Sequence, residues 1–209
     1  MTTGILSLQG NFLDHTRSLE LIKKDYILIK QKNDLKSIDS LILPGGESTS
    51  MIKIQSNNEL FKELKILIND GIPTIGTCAG LILLAKDVVD GEIALGLLDC
   101  VVERNAYGRQ NESFEGLVNF LDNSQMYCFI RAPKILKTGK KVKNIAFIDE
   151  EVVGVQQNNI AAFTFHPEFT NDKNYMLSPT SPEIRFYSLE AVCIFKKRLC
   201  ICIYIYTCI

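Results

Sequence analysis

The sequence predicts an α/β protein with a parallel sheet and helices on both of its faces. Three observations carry that prediction. Short apolar runs of strand length alternate with amphipathic segments of helix length through the first half of the chain. Gly, Pro and Asn punctuate the ends of those runs. The chain has 209 residues, 46% of them hydrophobic, which suits one core short of the roughly 250 residues at which cores divide.

The elements follow in order. Residues 4–8 (GILSL) read as a buried strand, broken by Gln9-Gly10-Asn11. Residues 12–24 carry Phe12, Leu13, Leu19, Leu21 and Ile22 among charges, an amphipathic helix. Residues 26–30 (YILIK) and 40–43 (SLIL) are the next strands, the latter stopped by Pro44-Gly45-Gly46. Residues 58–69 place Leu60, Phe61, Leu64, Leu67 and Ile68 at helical spacing, and Gly71 suits the C-terminal stop. Residues 72–77 form a fourth strand, and 79–86 (AGLILLAK) a helix that starts almost without a loop. Between residues 96 and 168 the pattern changes to short strands: LLDCVVE, MYCFIRA, NIAFID, VVGVQQ and AAFTF. They either extend the same sheet or form an antiparallel flap on it. There is no internal repeat and no low-complexity linker.

Composition excludes several classes. Lys and Arg number 23 against 24 Asp and Glu, so there is no basic footprint for nucleic acid. Seven Cys, at 78, 100, 128, 193, 200, 202 and 208, form neither a zinc-ribbon spacing nor an even disulfide framework; Cys100 and Cys128 read as buried filler. The first ten residues lack the basic and apolar regions of a signal peptide, and a reducing, cytoplasmic setting is expected. Residues 191–209 (AVCIFKKRLCICIYIYTCI) are apolar but interrupted by Lys196-Lys197-Arg198. A transmembrane helix needs about 20 apolar residues, so membrane anchoring is the lesser reading.

The most informative segment is Gly76-Thr77-Cys78-Ala79-Gly80, at a strand-to-helix junction. G-x-C-x-G is the cysteine counterpart of the G-x-S-x-G nucleophile elbow, whose tight turn leaves no room for side chains two positions either side. A thiol there sits at the sheet end, and a helix start favours its thiolate form. The competing reading is a buried, inert cysteine. A cysteine nucleophile wants a base, and the chain has two His. His166 follows the strand AAFTF and precedes Glu168 by two residues, so the carboxylate can orient the ring as the third member of a Cys-His-Glu triad. That chain order differs from the α/β-hydrolases. His15 falls in the first amphipathic helix and reads as a polar or half-buried structural residue. Pro44-Gly45-Gly46-Glu47-Ser48 can turn backbone N–H groups toward a ligand and, with the N–H of Ala79, hold an oxyanion; alone it also reads as a plain turn. The cations of residues 102–110 (VERNAYGRQ) and of Phe129-Ile130-Arg131-Ala132-Pro133 can each bind a substrate carboxylate, or simply pair at the surface.

Residues 41–49 (LILPGGEST), the G-T-C-A-G elbow and His166-Pro167-Glu168 resemble the class I glutamine amidotransferases. Leu8-Gln9-Gly10, residues 102–110, Ser113-Phe114-Glu115 and residues 129–133 resemble more closely the glutaminase subunits of pyridoxal 5′-phosphate (vitamin B6) synthases. The resemblance spans about residues 4–172. It implies a flavodoxin-like three-layer α/β/α fold with a central, mostly parallel sheet, and hydrolysis of L-glutamine to glutamate and ammonia. It implies Cys78 as nucleophile, His166 as acid and base, and Glu168 as the orienting carboxylate. Gly46, Glu47, Ser48, Arg104, Ile130 and Arg131 would form the glutamine site, with backbone amides of Gly46 and Ala79 as oxyanion donors and Gln9 coupling the site to a partner. The partner implied is a (β/α)8-barrel synthase subunit in a hetero-oligomer that consumes the ammonia. No metal or cofactor is implied.

One departure stands out. The family continues after His-Pro-Glu with Leu-Thr and a closing helix, whereas this chain has Phe169 and loses the resemblance from about residue 174. Residues 1–175 are expected to form the glutaminase domain. Residues 176–209 are expected to be an atypical tail, as a retained intron or a frameshift would produce. Two alternatives remain: a partner-binding subunit catalytically impaired by that tail, and a glutaminase serving another synthase, such as that of histidine biosynthesis.

Overall fold

The computed structural model describes residues 1–55, 59–107, 113–120 and 123–170. The expected tail at 176–209 and the Gly108-Arg109-Gln110 end of the first arginine segment lie outside the described residues.

In chain order the elements are β1 (Thr2–Leu6), α1 (Phe12–Leu21), β2 (Asp25–Ile29), a 3₁₀ turn (Lys32–Ser37), β3 (Ser40–Leu43), α2 (Ser48–Gln55), α3 (Leu60–Asn69), β4 (Thr74–Thr77) and α4 (Ala79–Leu84). There follow β5 (Ala85–Val89), β6 (Leu98–Glu103), β7 (Phe114–Phe120), β8 (Asn123–Phe129), β9 (Lys134–Thr138), β10 (Lys143–Ile148), β11 (Glu151–Gln157), β12 (Ile160–Phe163) and a short 3₁₀ turn (Pro167–Phe169). A nine-stranded sheet has the order β2-β1-β3-β4-β12-β11-β10-β7-β8. It is parallel from β2 to β12 and antiparallel from β12 to β8. A second sheet, β5-β6-β9, stands apart. Most of the later strands extend the main sheet, as one of the two expected arrangements has it, whereas the separate sheet is mixed rather than an antiparallel flap: β6 is parallel to β5 and antiparallel to β9.

Period-two alternation divides the core between the two sheet faces. Leu6, Leu41, Leu43 and Ala162 face one way, with Met51 of α2, Leu60, Leu64 and Ile68 of α3, α4 and the small sheet. Ile5, Ile42, Ile75, Ala161 and Phe163 face the other, with Leu19 of α1 and the aromatic group Phe120, Tyr127, Phe129 and Phe165. Helices thus cover both faces, as the alternation of elements requires. In α3 the buried residues fall at i, i+4 and i+8, a single inward stripe; truncating Leu64 to Ala there costs about 2–5 kcal/mol.

α2, β7 and β9 were not among the expected elements, and two further elements depart from expectation. The helix of residues 79–86 ends at Leu84, and Ala85 already begins β5. The carbonyls of Leu83 and Leu84 are taken by the N–H groups of Leu95 and Leu97, both at 2.9 Å, so a nearby chain segment captures the acceptors that would continue the helix. In α1 the inward residues are His15, Thr16, Ser18 and Leu19, while Leu13 and Leu21 are 54% and 72% exposed. The helix presents a polar stripe to the interior at the end of the sheet where the candidate site lies.

Candidate active site

Parallel strands paired in register deliver their following loops to one sheet edge. Leu43 pairs with Gly76, and Thr77 with Phe163. The loops after β1, β3, β4 and β12 therefore converge, and they carry Gln9 and Asn11, Gly45 to Ser48, Cys78, and His166 with Glu168.

Cys78 occupies the sharp turn between β4 and α4, with φ 48°, a left-handed conformation costing an L-residue about 1–2 kcal/mol. The turn is held from both sides. The Cys78 N–H donates to the Phe163 carbonyl at 2.8 Å, and its own carbonyl accepts from the Ile82 N–H at 3.3 Å. The glycines two positions away serve the steric purpose inferred from the motif. A Cβ on Gly80 would lie 2.0 Å from the Leu43 carbonyl oxygen, and one on Gly76 would lie 2.8 Å from the Gly80 carbonyl carbon. The Cys78 thiol is 5% exposed and points toward the Ile130 carbonyl, 3.8 Å away.

His166 is set by a backbone hydrogen bond from its N–H to the Cys128 carbonyl of β8, 2.9 Å. The 3₁₀ turn that follows folds Glu168 back beneath the ring, and His166 Nδ1 lies 2.8 Å from Glu168 Oε1. Asn11 Nδ2 donates to the same oxygen. Phe169 stacks on the other side of the imidazole, centroid to centroid 5.4 Å. Gly45 leaves the ring its space, since a Cβ there would meet His166 Cε1 at 2.3 Å. Burial pulls the His166 pKa down, but hydrogen bonding and charge from Cys78 and Glu168 outweigh it and hold it up at about 10. Burial pushes the Glu168 carboxyl up, yet the positive ends of His15 and His166 leave it below its ordinary value.

The loop after β3 is fixed by its own chemistry. The Glu47 N–H donates to Gln9 Oε1 at 2.7 Å. The Glu47 carboxylate caps α2, accepting from the Thr49 N–H at 3.2 Å and from the N–H and hydroxyl of Ser50, both at 2.7 Å. Partial burial raises the Glu47 carboxyl, and these donors bring it down to about 2. Arg104 lies beyond the end of β6 and donates to Thr49 Oγ1 at 2.7 Å. Its turn is anchored by Tyr107, whose ring meets Phe114 edge-on at 5.3 Å and whose hydroxyl donates to Glu151. Ile130 and Arg131 leave the end of β8, Arg131 with φ 45°.

These parts enclose a cleft of about 230 Å³, smaller than the roughly 300–1,000 Å³ of drug-sized pockets and suited to a small metabolite. Cys78 and His166 line it, with Gly46, Glu47 and Ser48 on one side and Arg104, Ile130 and Arg131 on another. The structure thus brings the motif residues of five separate segments into one wall. Glu168, Gln9 and Ala79 are not in that wall: the first supports His166, the second holds Glu47, and the third begins α4. Asn11, Ile82, Asn105 and Phe169 also line the cleft, although the motifs did not single them out. Asn11 was legible as the cap position before the predicted helix, and Asn105 as a residue type that tolerates its φ of 50°. His15, read as a structural helix residue, is fully buried with Nε2 3.6 Å from Glu168 Oε2. Among the described residues no group of three or more His, Cys, Asp or Glu is placed to hold a metal ion.

The chain is similar in sequence and in fold to known proteins. The chain is 45% identical over 176 residues to the pyridoxal 5′-phosphate synthase subunit PdxT of Thermotoga petrophila, covering 82% of this chain and 94% of that one. It is 47% identical over 175 residues to the PdxT subunit of Methanocorpusculum labreanum, covering 82% and 92%. A crystal structure of a glutamine amidotransferase matches with TM-score 0.77 at 37% identity, over 81% of this chain and 92% of that one. The PurLQS structure of Thermotoga maritima, at 16% identity and TM-score 0.63, shares the fold alone. A model of the SNO glutamine amidotransferase family matches residues 5–178. With that span, those identities and the converging loops described above, this chain belongs to the SNO glutamine amidotransferase family.

Proposed function

We infer that this protein is the glutaminase of a pyridoxal 5′-phosphate synthase: it hydrolyses L-glutamine to L-glutamate and ammonia and supplies the ammonia to a synthase subunit. The observation that carries the reading is Cys78 and His166 side by side in a cleft lined by two arginines, in a chain of this family.

The chemistry follows from the geometry. Cys78 gives its thiol proton to His166, which lines the cleft beside it, and the sulfur becomes the nucleophile. The sulfur adds to the carboxamide carbon of glutamine, and the new oxyanion is received by the backbone amides of Gly46 and Ala79. His166 gives its Nε2 proton to the amide nitrogen, the C–N bond breaks, and ammonia leaves a γ-glutamyl thioester. His166 then takes a proton from water as it attacks the thioester, and glutamate is released. Glu168 holds the ring through Nδ1 and stabilises imidazolium in both stages. Arg131 and Arg104 bind the α-carboxylate, and Glu47, Ser48 and Ile130 fix the remainder of the substrate.

Gln9 couples the site to the synthase subunit, which is a (β/α)8 barrel in this reading. Support comes from its hydrogen bond to the Glu47 N–H: a partner that moves Gln9 also moves the loop carrying Gly46. The reaction takes place in the cytoplasm, and no helix among the described residues is long and apolar enough to cross a membrane. Residues 1–175 are the catalytic domain in this reading, and 176–209 a tail that replaces the family's closing helix. Sequencing the 3′ end of the mature transcript tests the tail; uninterrupted coding across it sinks the substituted-end account. Growth tests the function: the gene should rescue a vitamin B6 auxotroph lacking this subunit but not a histidine auxotroph, and the reverse pattern would assign another synthase.

A further inference from the structure

We propose that Asn11 and His15, one helical turn apart at the start of α1, are positioning residues that grip the two oxygens of Glu168 and thereby aim His166. The proposal rests on the reading of Cys78, His166 and Glu168 as the hydrolytic triad.

The interior stripe of α1 is polar where a helix facing a core is ordinarily apolar. Its members at positions 11, 15 and 18 lie on one face, and all three meet Glu168. Asn11 Nδ2 donates to Oε1, the oxygen that also holds His166 Nδ1. His15 Nε2 stands 3.6 Å from Oε2. The Ser18 hydroxyl donates to the Glu168 backbone carbonyl at 3.5 Å. The side chains of both His15 and Glu168 are fully buried. Among the described residues Glu168 Oε2 has no hydrogen-bond partner, and a carboxylate oxygen removed from water without compensation is costly. The His15 ring, with a proton on Nε2, supplies that compensation.

His15 also reaches the nucleophile's strand, since Nε2 is 3.3 Å from Oγ1 of Thr77, the residue before Cys78. One helix face therefore references the end of β4 and the turn that carries Glu168 to each other. If Glu168 swings, Oε1 leaves Nδ1 and the imidazole loses its direction at both proton transfers. Neither Glu168 nor His15 lines the cleft, so the effect is expected on turnover.

The test is steady-state glutamate release by the full chain with its synthase partner, alongside melting curves. His15→Leu should lower kcat by about 10- to 100-fold, the scale of a displacement near 1 Å, with KM little changed. His15→Gln, which restores an N–H at similar reach, should recover most of the loss. Full kcat in a folded His15→Leu overturns the proposal, as does a loss confined to KM or one that His15→Gln leaves unrelieved. If His15→Leu does not fold, Asn11→Ala decides at a half-buried position of the cleft lining: about tenfold lower kcat with KM little changed supports the grip, and unchanged kcat or a loss confined to KM overturns it. Cys78→Ala is run beside them. Turnover surviving that change overturns the triad reading and this proposal with it, whereas a silent Cys78→Ala beside a fully active His15→Leu overturns this proposal alone.

Discussion

Replacing Gly80 by Ala probes the junction on which the nucleophile depends. The added Cβ would sit 2.0 Å from the Leu43 carbonyl oxygen and 2.8 Å from its carbon. Carbon and oxygen in favourable contact stand about 3.3–3.6 Å apart, so α4 must withdraw from β3 by more than about 1 Å. The obstacle is backbone on a central strand, paired on both sides, so the strain cannot be relieved by turning a side chain. Overpacking of this kind costs about 1–3 kcal/mol, and in a domain of this size about 2–4 °C of Tm per kcal/mol. A displacement near 1 Å at Cys78 lowers turnover by about a hundredfold. Gly71→Ala is the control, because φ is +103° there but nothing among the described residues lies within 4 Å; it carries backbone strain alone and should leave turnover untouched. Thermal melting and glutamate release are measured on both variants. A Gly80→Ala protein that melts with the wild type and turns over at full rate would refute the steric account of the elbow.

Other expectations follow from the site. Glu168→Gln presents an amide to His166 Nδ1 and permits the wrong tautomer; kcat should fall by about 10⁴-fold, as in the corresponding change of a serine-protease triad, and a loss below tenfold would remove Glu168 from the catalytic unit. Glu47 has its pKa depressed from 4.5 to about 2, so its contribution to stability is present above pH 4.5 and is lost as pH falls through about 2. Melting of Glu47→Gln against pH should therefore show a deficit at neutral pH that closes over that window, and a pH-independent deficit contradicts the cap. Arg131→Ala should raise KM for glutamine with kcat nearly kept. Because Arg131 is exposed, the loss is set near about 2 kcal/mol, the lower end for a charge pair and about thirtyfold in KM. An unchanged KM moves the carboxylate to Arg104.

Much of this site was legible in the sequence because its chemistry is local. The elbow needs Gly76 and Gly80 at fixed offsets from Cys78, and His166 and Glu168 are joined by a single turn. The glycine pair of the β3 loop is likewise a short-range signal. What the pattern concealed depends on tertiary partners. The apolar run of residues 79–86 promised a longer helix until Leu95 and Leu97 took its last acceptors. The helix beginning at Phe12 was expected to bury Leu13 and Leu21, but the carboxylate of a residue far along the chain turns its His15 and Ser18 face inward. β7 was not among the expected strands, and the small sheet depends on β5 pairing with β6 and β6 with β9, which no local pattern announces.

The most direct test of the central claim is glutamate release from L-glutamine by the whole chain, with and without the synthase subunit and with Cys78→Ala as the blank. The account predicts release that requires Cys78 and rises when the synthase subunit is added. Release that persists in Cys78→Ala, or none from the wild-type chain with its partner present, would contradict it.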